Sequence, residues 1–597
     1  MAQALLVAHP MVVISNFFVG AGVLGKAIVY SPIPDVLAQG LLSLGSPLTV
    51  SLLLLAAWGV AHNARGIGAL LLQLLVLLLL SVPFLRALGT GAPPLLMATT
   101  AASTVVLVVL IARTSKDRTG RRRWWWLPGF AAGVALVAGI GATSQSLPFN
   151  PTAALSTSGS GAAGTGADLP APRPPQNPAL APDPFNSIHH DAWATDAYAL
   201  PSPGDPRGAP VESLFTGGDC ATITFDSRGR LITLCSTLTR VVAYVVDPDT
   251  LEVLDRRVVG QRTPSVTDFS GGGYFILDAR DRIVFVARGG VLRILETTEG
   301  LPDAGQVDVS GTLQPGEQVT SVLPDWRGRY WYVGAFGTVG IVRDGVPEAL
   351  NLGGEDIENS FAISREAAYV VTGAALYRLE AGDAGAPTVA WRTEYDRGTR
   401  QKPGQTSRAS GTTPTILGRW VAITDNAEPR MNILVVERNT GTVTCTVPVF
   451  ADGRSATDNS LIALDDTLVV ENNYGYKPAI TSTSAGRTTE PGLAAIRVTA
   501  QGCTTAWSND KIHIPSVVSK ATSIGGLIIT YTKPPNLLGV DSWYFTAVDI
   551  RTGEVTWTRR AGAGTPFNNH YAAAYLRADG DMFVGTTNGF AVLRAGP

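Results

Sequence analysis

The fold is decided by Ala221-Thr-Ile-Thr-Phe225 and the run that follows it, Leu231-Ile-Thr-Leu234. Both runs are rich in apolar and β-branched residues, and Asp226-Ser-Arg-Gly229 between them is a turn sequence, so the pair predicts a β-hairpin. The same pattern returns along the chain, for example at Asn359-Ser-Phe-Ala-Ile363 with Ala368-Tyr-Val-Val371. Two further runs follow each pair. The repeating unit is therefore a four-stranded meander.

Eight such units follow one another in the C-terminal part of the chain. Their first strands are predicted to begin near residues 221, 273, 320, 359, 413, 459, 521 and 569, at intervals of 39 to 62 residues. Intervals of this length are typical of the blades of a β-propeller with variable loops. The eighth unit supplies three strands, and we expect Val211–Phe215 to pair with it as the fourth and to close the ring.

A second repeated phrase joins the third and fourth strands of several units. It reads Thr546-Ala-Val-Asp549-Ile-Arg-Thr552-Gly553-Glu-Val-Thr-Trp557 in one unit and Val436-Glu437-Arg-Asn-Thr440-Gly441-Thr-Val-Thr-Cys445 in another. We expect Thr-Gly to form the turn, the acid to accept hydrogen bonds from backbone N–H groups there, and the aromatic residue to pack between blades.

This phrase resembles the repeat of the pyrroloquinoline-quinone-type propellers, a superfamily of mostly eight-bladed folds that includes quinoprotein dehydrogenases and non-catalytic scaffolds. The resemblance covers roughly residues 218 to 597 and implies an all-β, eight-bladed propeller. The resemblance does not favour a dehydrogenase, because those enzymes typically hold the quinone beside a disulfide of adjacent cysteines. The sequence has no adjacent cysteine pair.

The composition divides the chain into a basic, apolar front and an acidic back. Residues 1–150 contain 9 Lys and Arg against 2 Asp and Glu, which leaves 37 basic and 46 acidic residues in the remainder. An acidic domain argues against a nucleic-acid partner, whose phosphates require a basic surface. Residues 44–62, 67–85, 93–112 and 124–142 are each long and apolar enough to span a bilayer, and Met11–Val29 is a fifth candidate.

The sequence thus predicts a transmembrane helical domain over 1–142, a linker rich in Pro, Gly and Ser over 143–210, and the propeller over 211–597. The basic loop 113–123 is expected in the cytoplasm by the positive-inside rule, which places the propeller outside the plasma membrane. The linker composition is typical of a spacer, although Phe185–Leu200 is less biased and is a candidate to pack on the propeller.

All four cysteines lie in the predicted extracytoplasmic part, where disulfides persist. Three pairings are possible from the sequence. Cys220 and Cys235 flank the first hairpin turn and should face each other across it, so we expect them to be bonded. Cys445 and Cys503, each late in its own blade, would form the second pair.

Acid or amide side chains followed by asparagine recur where strands of blades 4, 5, 6 and 8 begin or end. They are Glu358-Asn359, Asp425-Asn426, Asp458-Asn459, Glu471-Asn472-Asn473 and Asn568-Asn569. The innermost strand of a blade begins on the same face of a propeller on which the second strand ends, so these groups should converge at one mouth of the channel. Lys402, Lys520 and Lys533 are expected near the same mouth.

Oxygen ligands in such a ring suit a hard cation such as Ca²⁺. The four carboxylates Glu358, Asp425, Asp458 and Glu471 are therefore candidate metal ligands, and the residue types are similar to those of calcium-dependent lactonase propellers. His570 is the histidine expected to act as a base if the mouth is an active site. His189 and His190 lie in the linker without a cysteine or carboxylate cluster, which argues against zinc.

Two functions of different classes follow from these patterns. The first is a membrane-anchored propeller that binds a ligand, or a protein or glycan partner, in the bacterial cell envelope. The second is a calcium-dependent hydrolase, such as a lactonase, with its site at the propeller mouth. A quinone-dependent dehydrogenase is less favoured, because the sequence lacks the adjacent cysteines of those enzymes.

Overall fold

The described residues form an eight-bladed β-propeller. The computed structural model describes residues 159–161, 166–169, 174–204, 208–237, 239–262, 274–382, 385–484, 486–536 and 541–595. Their strands form eight sheets, and within each blade successive strands pair antiparallel from the innermost to the outermost. The inner strands begin within five residues of the positions predicted from the repeat.

Each blade has four strands, ordered from the innermost to the outermost. Blades 1 to 4 consist of Asp219–Phe225, Leu231–Ser236, Arg240–Val246 and Val253–Gln261; Phe275–Leu277, Ile283–Ala287, Val291–Leu295 and Asp303–Asp308; Val319–Pro324, Tyr330–Gly334, Thr338–Arg343 and Val346–Asn351; and Ala362–Ile363, Ala368–Val371, Ala375–Ala381 and Pro387–Glu394. Blades 5 to 8 consist of Thr415–Leu417, Trp420–Thr424, Asn432–Glu437 and Val443–Pro448; Ile462–Leu464, Thr467–Glu471, Leu493–Thr499 and Gly502–Asn509; Lys520–Thr522, Leu527–Thr532, Ser542–Asp549 and Val555–Ala563; and Ala574–Leu576, Met582–Thr586, Gly589–Leu593 and Val211–Phe215.

A few short elements complete the architecture. Gly159–Gly161 and Ala197–Tyr198 extend the sheet of blade 7 on its outer and inner edges. Ala479–Ser482 is a single helical turn, and Ser310–Thr312 and Thr565–Phe567 are 3-10 turns. In blade 1 the two inner strands are buried along their length, whereas the outermost strand is largely exposed. The core therefore lies between the blades.

The ring closes as the sequence predicts. Val211–Phe215 pairs antiparallel with Gly589–Leu593, so that a strand preceding blade 1 completes blade 8. Closure joins the two ends of the repeat array and removes the sheet edges that an open array would expose. The predicted closing strand is confirmed.

The repeated Thr-Gly turn has the predicted chemistry. The Asp549 carboxylate accepts hydrogen bonds from the backbone N–H groups of Arg551 (2.8 Å) and Thr552 (3.1 Å). Gly553 has φ +74°, and a Cβ there would lie 2.4 Å from the ring of Trp507 on blade 6. Gly441 also has a positive φ, and a Cβ there would lie too close to the ring of Trp391 on blade 4. Glycine is therefore required twice, by its backbone conformation and by the tryptophan of the preceding blade.

Both expected disulfides are present. Cys220 and Cys235 face each other across the first hairpin of blade 1, with their Cα atoms 4.2 Å apart. Cys445 and Cys503 lie on the outermost strands of blades 5 and 6, with their Cα atoms 5.9 Å apart. The first bond ties two strands of one blade, and the second links two neighbouring blades.

The four or five predicted membrane helices fall in residues 1–142, outside the described residues. In the part of the chain that the structure describes, no helix has the length and the apolar character needed to cross a membrane.

Candidate functional site in the propeller channel

A segment that precedes the propeller enters its channel. Residues 177–200, here called the channel segment, follow the innermost strands of several blades. Backbone N–H groups of four blades donate to it, in the pairs Ile363 to Ala192 (2.8 Å), Ile416 to Trp193 (2.9 Å), Ala463 to Thr195 (2.8 Å) and Ala521 to Asp196 (2.9 Å). Inner strands have free edges toward the axis, and this segment pairs with them.

The channel segment belongs to the stretch whose composition is typical of a linker, yet it is buried. Asn177 is fully buried and its amide donates to the carbonyl of Pro324 in blade 3 (2.8 Å). Tyr198 is 2% exposed and packs in the core of blade 7. Proline and polar residues do not prevent burial here, because the inner strands supply the hydrogen bonds that the segment needs. Its less biased part, Phe185–Leu200, packs on the propeller as the sequence predicts.

The channel segment brings a charged cluster to the axis. Asp196 and Lys520 are both fully buried, and the Lys520 ammonium donates to Asp196 and to the carbonyl of Ile188 (2.5 Å). Asp196 also lies 3.1 Å from Nδ1 of His189 and accepts a hydrogen bond from the hydroxyl of Ser460. Burial raises the pKa of Asp196, but Lys520 and His189 lower it more, so that it lies below its ordinary value. This cluster is fully paired.

The sequence places His189 in the linker, argues against zinc there and predicts no other role for it. Its partner Asp196 is seven residues away, and no local motif connects the two residues. Ser460 and Lys520 are supplied by blades 6 and 7. Only the path of the channel segment brings these four side chains together.

A cavity of about 110 Å³, here called the mouth cavity, lies beside this cluster. Its polar wall combines the channel segment with the starts of inner strands and the loop before blade 5. The polar side chains that line it are His189, Tyr274, Glu358, Asn359, Ser360, Thr406, Thr413, Asp458, Asn459, Ser460 and Tyr571. It is the place where two of the four predicted metal-binding carboxylates, Glu358 and Asp458, come together.

Glu358 and Asp458 compete for one hydroxyl proton. The Thr406 hydroxyl lies 2.5 Å from Oε2 of Glu358 and 3.0 Å from Oδ2 of Asp458, and the Thr406 N–H donates to the same Asp458 oxygen (2.7 Å). A hydroxyl has a single proton to donate, so it cannot satisfy both carboxylates at once. Asp458 is 6% exposed, and its other oxygen, Oδ1, has no hydrogen-bond partner among the described residues.

The pKa of Asp458 reflects this incomplete pairing. Burial, and then the negative charge of Glu358, raise the pKa of Asp458 to about 7, against the opposing effects of Thr406 and Lys477. A buried carboxyl with a like charge beside it holds its proton until a cation or a donor compensates it. The mouth cavity therefore carries an acidic pair that is poorly neutralised by the protein itself.

The other predicted residues of blade 5 hold loops. The Asp425 carboxylate accepts from the N–H groups of Ala427 (3.1 Å) and Asn432 (2.6 Å), and from the Asn432 amide (2.7 Å). Asn426 donates to the carbonyls of Arg397 (2.8 Å) and Arg400 (2.9 Å). Lys402 is 2% exposed, and its ammonium donates to the carbonyl of Ala427 (2.6 Å).

In blade 6, Glu471 and the asparagines form a buried network. Glu471 accepts from the amide of Asn459 and the hydroxyl of Ser519, and burial raises its pKa to about 7. Asn472 donates to the carbonyl of Arg454 (2.9 Å), and Asn473 donates to that of Ile514 (3.1 Å). The Asn459–Glu471 contact confirms that the start of an inner strand and the end of its neighbour share one face.

The remaining predicted residues lie in blades 7 and 8. The Asn568 amide donates to the hydroxyl of Thr483 (3.1 Å), and the Asn569 amide donates to the carbonyls of Ala572 (3.0 Å) and Gly585 (2.8 Å). Nδ1 of His570 is 3.2 Å from the Tyr476 hydroxyl. Lys533 is fully buried, and its ammonium donates to the carbonyl of Arg487 (2.5 Å) and lies 3.1 Å from Asp541.

The four predicted metal ligands thus occupy three different settings. Glu358 and Asp458 share the mouth cavity, whereas Asp425 and Glu471 belong to separate hydrogen-bond sets and do not line it. Across the described ranges, no three His, Cys, Asp or Glu side chains are grouped closely enough to hold a metal ion by themselves. A cation at the mouth would therefore use two carboxylates and neutral oxygens.

Comparison with known proteins gives few relatives in sequence. No protein-family model matches the chain. A protein of Archaeoglobus fulgidus described as uncharacterized is 26% identical over 316 residues, which are 47% of this chain and 61% of that protein. The chain thus covers less than two thirds of the length of that relative.

Among solved structures, the chain is similar to two dehydrogenases. A quinohemoprotein alcohol dehydrogenase from Pseudomonas putida HK5 has 11% identity and a TM-score of 0.43, over 69% of this chain and 80% of that one. A europium-containing methanol dehydrogenase has 12% identity and a TM-score of 0.42, over 69% of this chain and 98% of that one. The number of blades in this chain follows from its own strand pairing.

Proposed function

We propose that the propeller is a binding module of the cell envelope that holds a cation, or the cationic group of a ligand, in the mouth cavity. The observation that carries this proposal is the Glu358–Asp458 pair. Both carboxylates line the same cavity, they share one hydroxyl donor, and one oxygen of Asp458 is buried without a partner in the part of the chain that the structure describes. Buried polar groups are ordinarily satisfied, so an orphaned carboxylate oxygen beside a cavity favours a bound positive group.

Calcium fits the donor set of this cavity. Ca²⁺ accepts carboxylate, amide and hydroxyl oxygens and completes its shell with water, so Glu358, Asp458 and Asn359 would hold it together with solvent. Ca²⁺ is also a simple probe of this site, because its binding can be detected through the melting temperature of the protein. A ligand that binds the folded state alone raises the melting temperature with its concentration.

The experiment compares the melting of the full-length protein in Ca²⁺ and in chelator. We expect a higher melting temperature with Ca²⁺, and we expect the Glu358→Gln/Asp458→Asn variant to lose the difference. Glu471→Gln is the matched control, because Glu471 is an equally buried carboxylate that lies outside the cavity. Equal shifts in the double variant and the wild-type protein would contradict the proposal.

A location outside the cytoplasmic membrane is part of this proposal. It is supported by the basic loop 113–123 and by two disulfides, which persist in oxidising compartments. Protease added to intact spheroplasts should release a fragment that contains the propeller. A propeller that stays protected until the membrane is lysed would contradict the assigned side.

A calcium-dependent hydrolase is the second candidate, and His189 is the observation that favours it. Its Nδ1 faces Asp196 and Ser460, so Nε2 is the ring nitrogen left to take a proton from a water in the mouth cavity. Hydrolysis of simple γ-lactones in the presence of Ca²⁺, lost in His189→Gln, would support this function. If the protein binds calcium but hydrolyses none of the lactones tested, the hydrolase proposal is wrong and the binding proposal stands.

A further inference from the structure

A second chamber adjoins the mouth cavity. It has a volume of about 90 Å³ and shares four wall residues with the mouth cavity, namely Ile188, His189, Tyr274 and Ser360. The two spaces therefore adjoin each other along the channel. We call the second space the apolar chamber.

The two chambers differ in chemistry. The apolar chamber takes most of its wall from apolar residues, among them Ile276, Val286, Val322 and Phe361, and its wall also includes Asp191 and His189 of the channel segment. The hydroxyl of Ser321, which also lines the chamber, is hydrogen-bonded to the hydroxyl of Ser360 (2.8 Å). Pockets with a mostly apolar wall and a few polar groups bind the apolar part of a ligand. The mouth cavity, in contrast, has the Glu358–Asp458 pair.

We propose that the ligand of this protein is a short-chain alkylammonium compound whose ammonium group lies between Glu358 and Asp458 and whose alkyl chain occupies the apolar chamber. This inference rests on the proposed function and names the chemical class of the ligand. A bare metal ion would leave the apolar chamber without a role, and an anionic amphiphile would be repelled by the carboxylates. An ammonium supplies several N–H donors, so it satisfies both carboxylates at the same time.

The test measures affinity against chain length. Methylammonium, propylammonium and pentylammonium are titrated into the full-length protein by calorimetry. Each methylene that enters the apolar chamber should tighten binding about fourfold, until the chamber is full. The Glu358→Gln/Asp458→Asn variant should bind none of the three compounds, which shows that the alkyl chain alone does not hold the ligand.

A filled chamber provides the matched variant. Val286 is half-buried in the chamber wall, so Val286→Phe should remove the dependence on chain length and leave methylammonium affinity unchanged within about twofold. If Val286→Phe shows no cooperative melting transition, the milder variant Val322→Leu on blade 3 is used to measure the dependence of affinity on chain length. Unchanged chain-length dependence in a folded variant would overturn the inference.

Failure of this inference differs from failure of the proposed function. If methylammonium or Ca²⁺ binds but pentylammonium binds no tighter than methylammonium, the alkyl class is wrong and the cation site stands. If no cation binds, the proposed function is wrong and the inference falls with it.

Discussion

Two buried aspartates in the channel, Asp196 and Asp458, have opposite electrostatic settings. Asp196 is paired with a fully buried lysine, a histidine and a serine hydroxyl, and its pKa lies below the ordinary value. Asp458 has Thr406 as its donor and a like charge in Glu358, and its pKa is raised to about 7. The Asp196 carboxylate therefore has charged and hydrogen-bonding partners within the protein and needs no ligand. The Asp458 carboxylate has one oxygen without a hydrogen-bond partner among the described residues, and the charge of Lys477 does not offset its burial and the charge of Glu358.

The largest effect is expected from removing the partner of Asp196. Lys520→Met leaves a buried carboxylate without its counter-charge, and breaking a buried pair in this way costs about 3–5 kcal/mol in the free energy of unfolding. Chemical denaturation measures the loss. The double variant Lys520→Met/Asp196→Asn should recover much of the stability, because no charge is left unpaired. A single variant as stable as the wild-type protein would show that the pair does not anchor the channel segment.

The opposite sign is expected at Asp458. Its folded-state pKa of about 7 lies above the unfolded value, so the folded state holds the proton more tightly and wild-type stability falls as the pH rises from about 4 to about 7. Asp458→Asn should remove this loss and gain about 2–4 kcal/mol at pH 8, but little at pH 4. Denaturation in cation-free buffer across this range measures the difference. A variant that is less stable than the wild-type protein at pH 8 would contradict the assigned setting.

A smaller effect on stability, with a clear effect on binding, is expected at Gly411. A Cβ at this position would lie 2.2 Å from Oδ1 of Asp458, so Gly411→Ala must displace the carboxylate. We expect a loss of about 1–3 kcal/mol in unfolding free energy and a loss of the calcium-dependent melting shift. Gly311→Ala is the control, because a Cβ there meets no atom within 4 Å and its backbone does not have the positive φ that favours glycine. If Gly411→Ala keeps the calcium-dependent melting shift, Asp458 does not take part in binding the cation.

The smallest effect is expected from the shared hydroxyl. Thr406→Val removes the side-chain donor between Glu358 and Asp458 and keeps the backbone N–H donor, at a cost of about 1 kcal/mol. The pKa of Asp458 should rise further, because the hydrogen bond that lowers it is lost. The midpoint of the pH-dependent stability loss should therefore move to higher pH. A midpoint that moves to lower pH would show that the hydroxyl does not donate to Asp458.

The fold could be predicted because its signals are local and repeated. Turn sequences such as Asp226-Ser-Arg-Gly229 and the Thr-Gly phrase specify their structures through nearby residues, whereas Val211–Phe215 could be assigned because the repeat count leaves the eighth blade one strand short. The pairing of Cys220 with Cys235 follows from a single hairpin.

The site could be predicted only in part because its contacts are not local. Strand direction correctly places Asn459 beside Glu471. It does not reveal that Asp425 and Glu471 are satisfied by their own neighbours, or that a loop residue, Thr406, reaches Asp458. The composition predicts that Phe185–Leu200 packs on the propeller but not that the channel segment enters the channel, since that path depends on the free edges of inner strands that are distant in sequence. His189 entered the site with it.

The most direct test of the account is the number of protons released when a cation binds. Because the pKa of Asp458 is raised to about 7, a fraction of its carboxyls is protonated at pH 7, and a bound cation must displace that proton. Calorimetric titration of methylammonium in two buffers with different ionisation enthalpies measures the release. We expect the wild-type protein to release a measurable fraction of a proton and Asp458→Asn to release none. Binding without proton release, or the same release in both proteins, would contradict it.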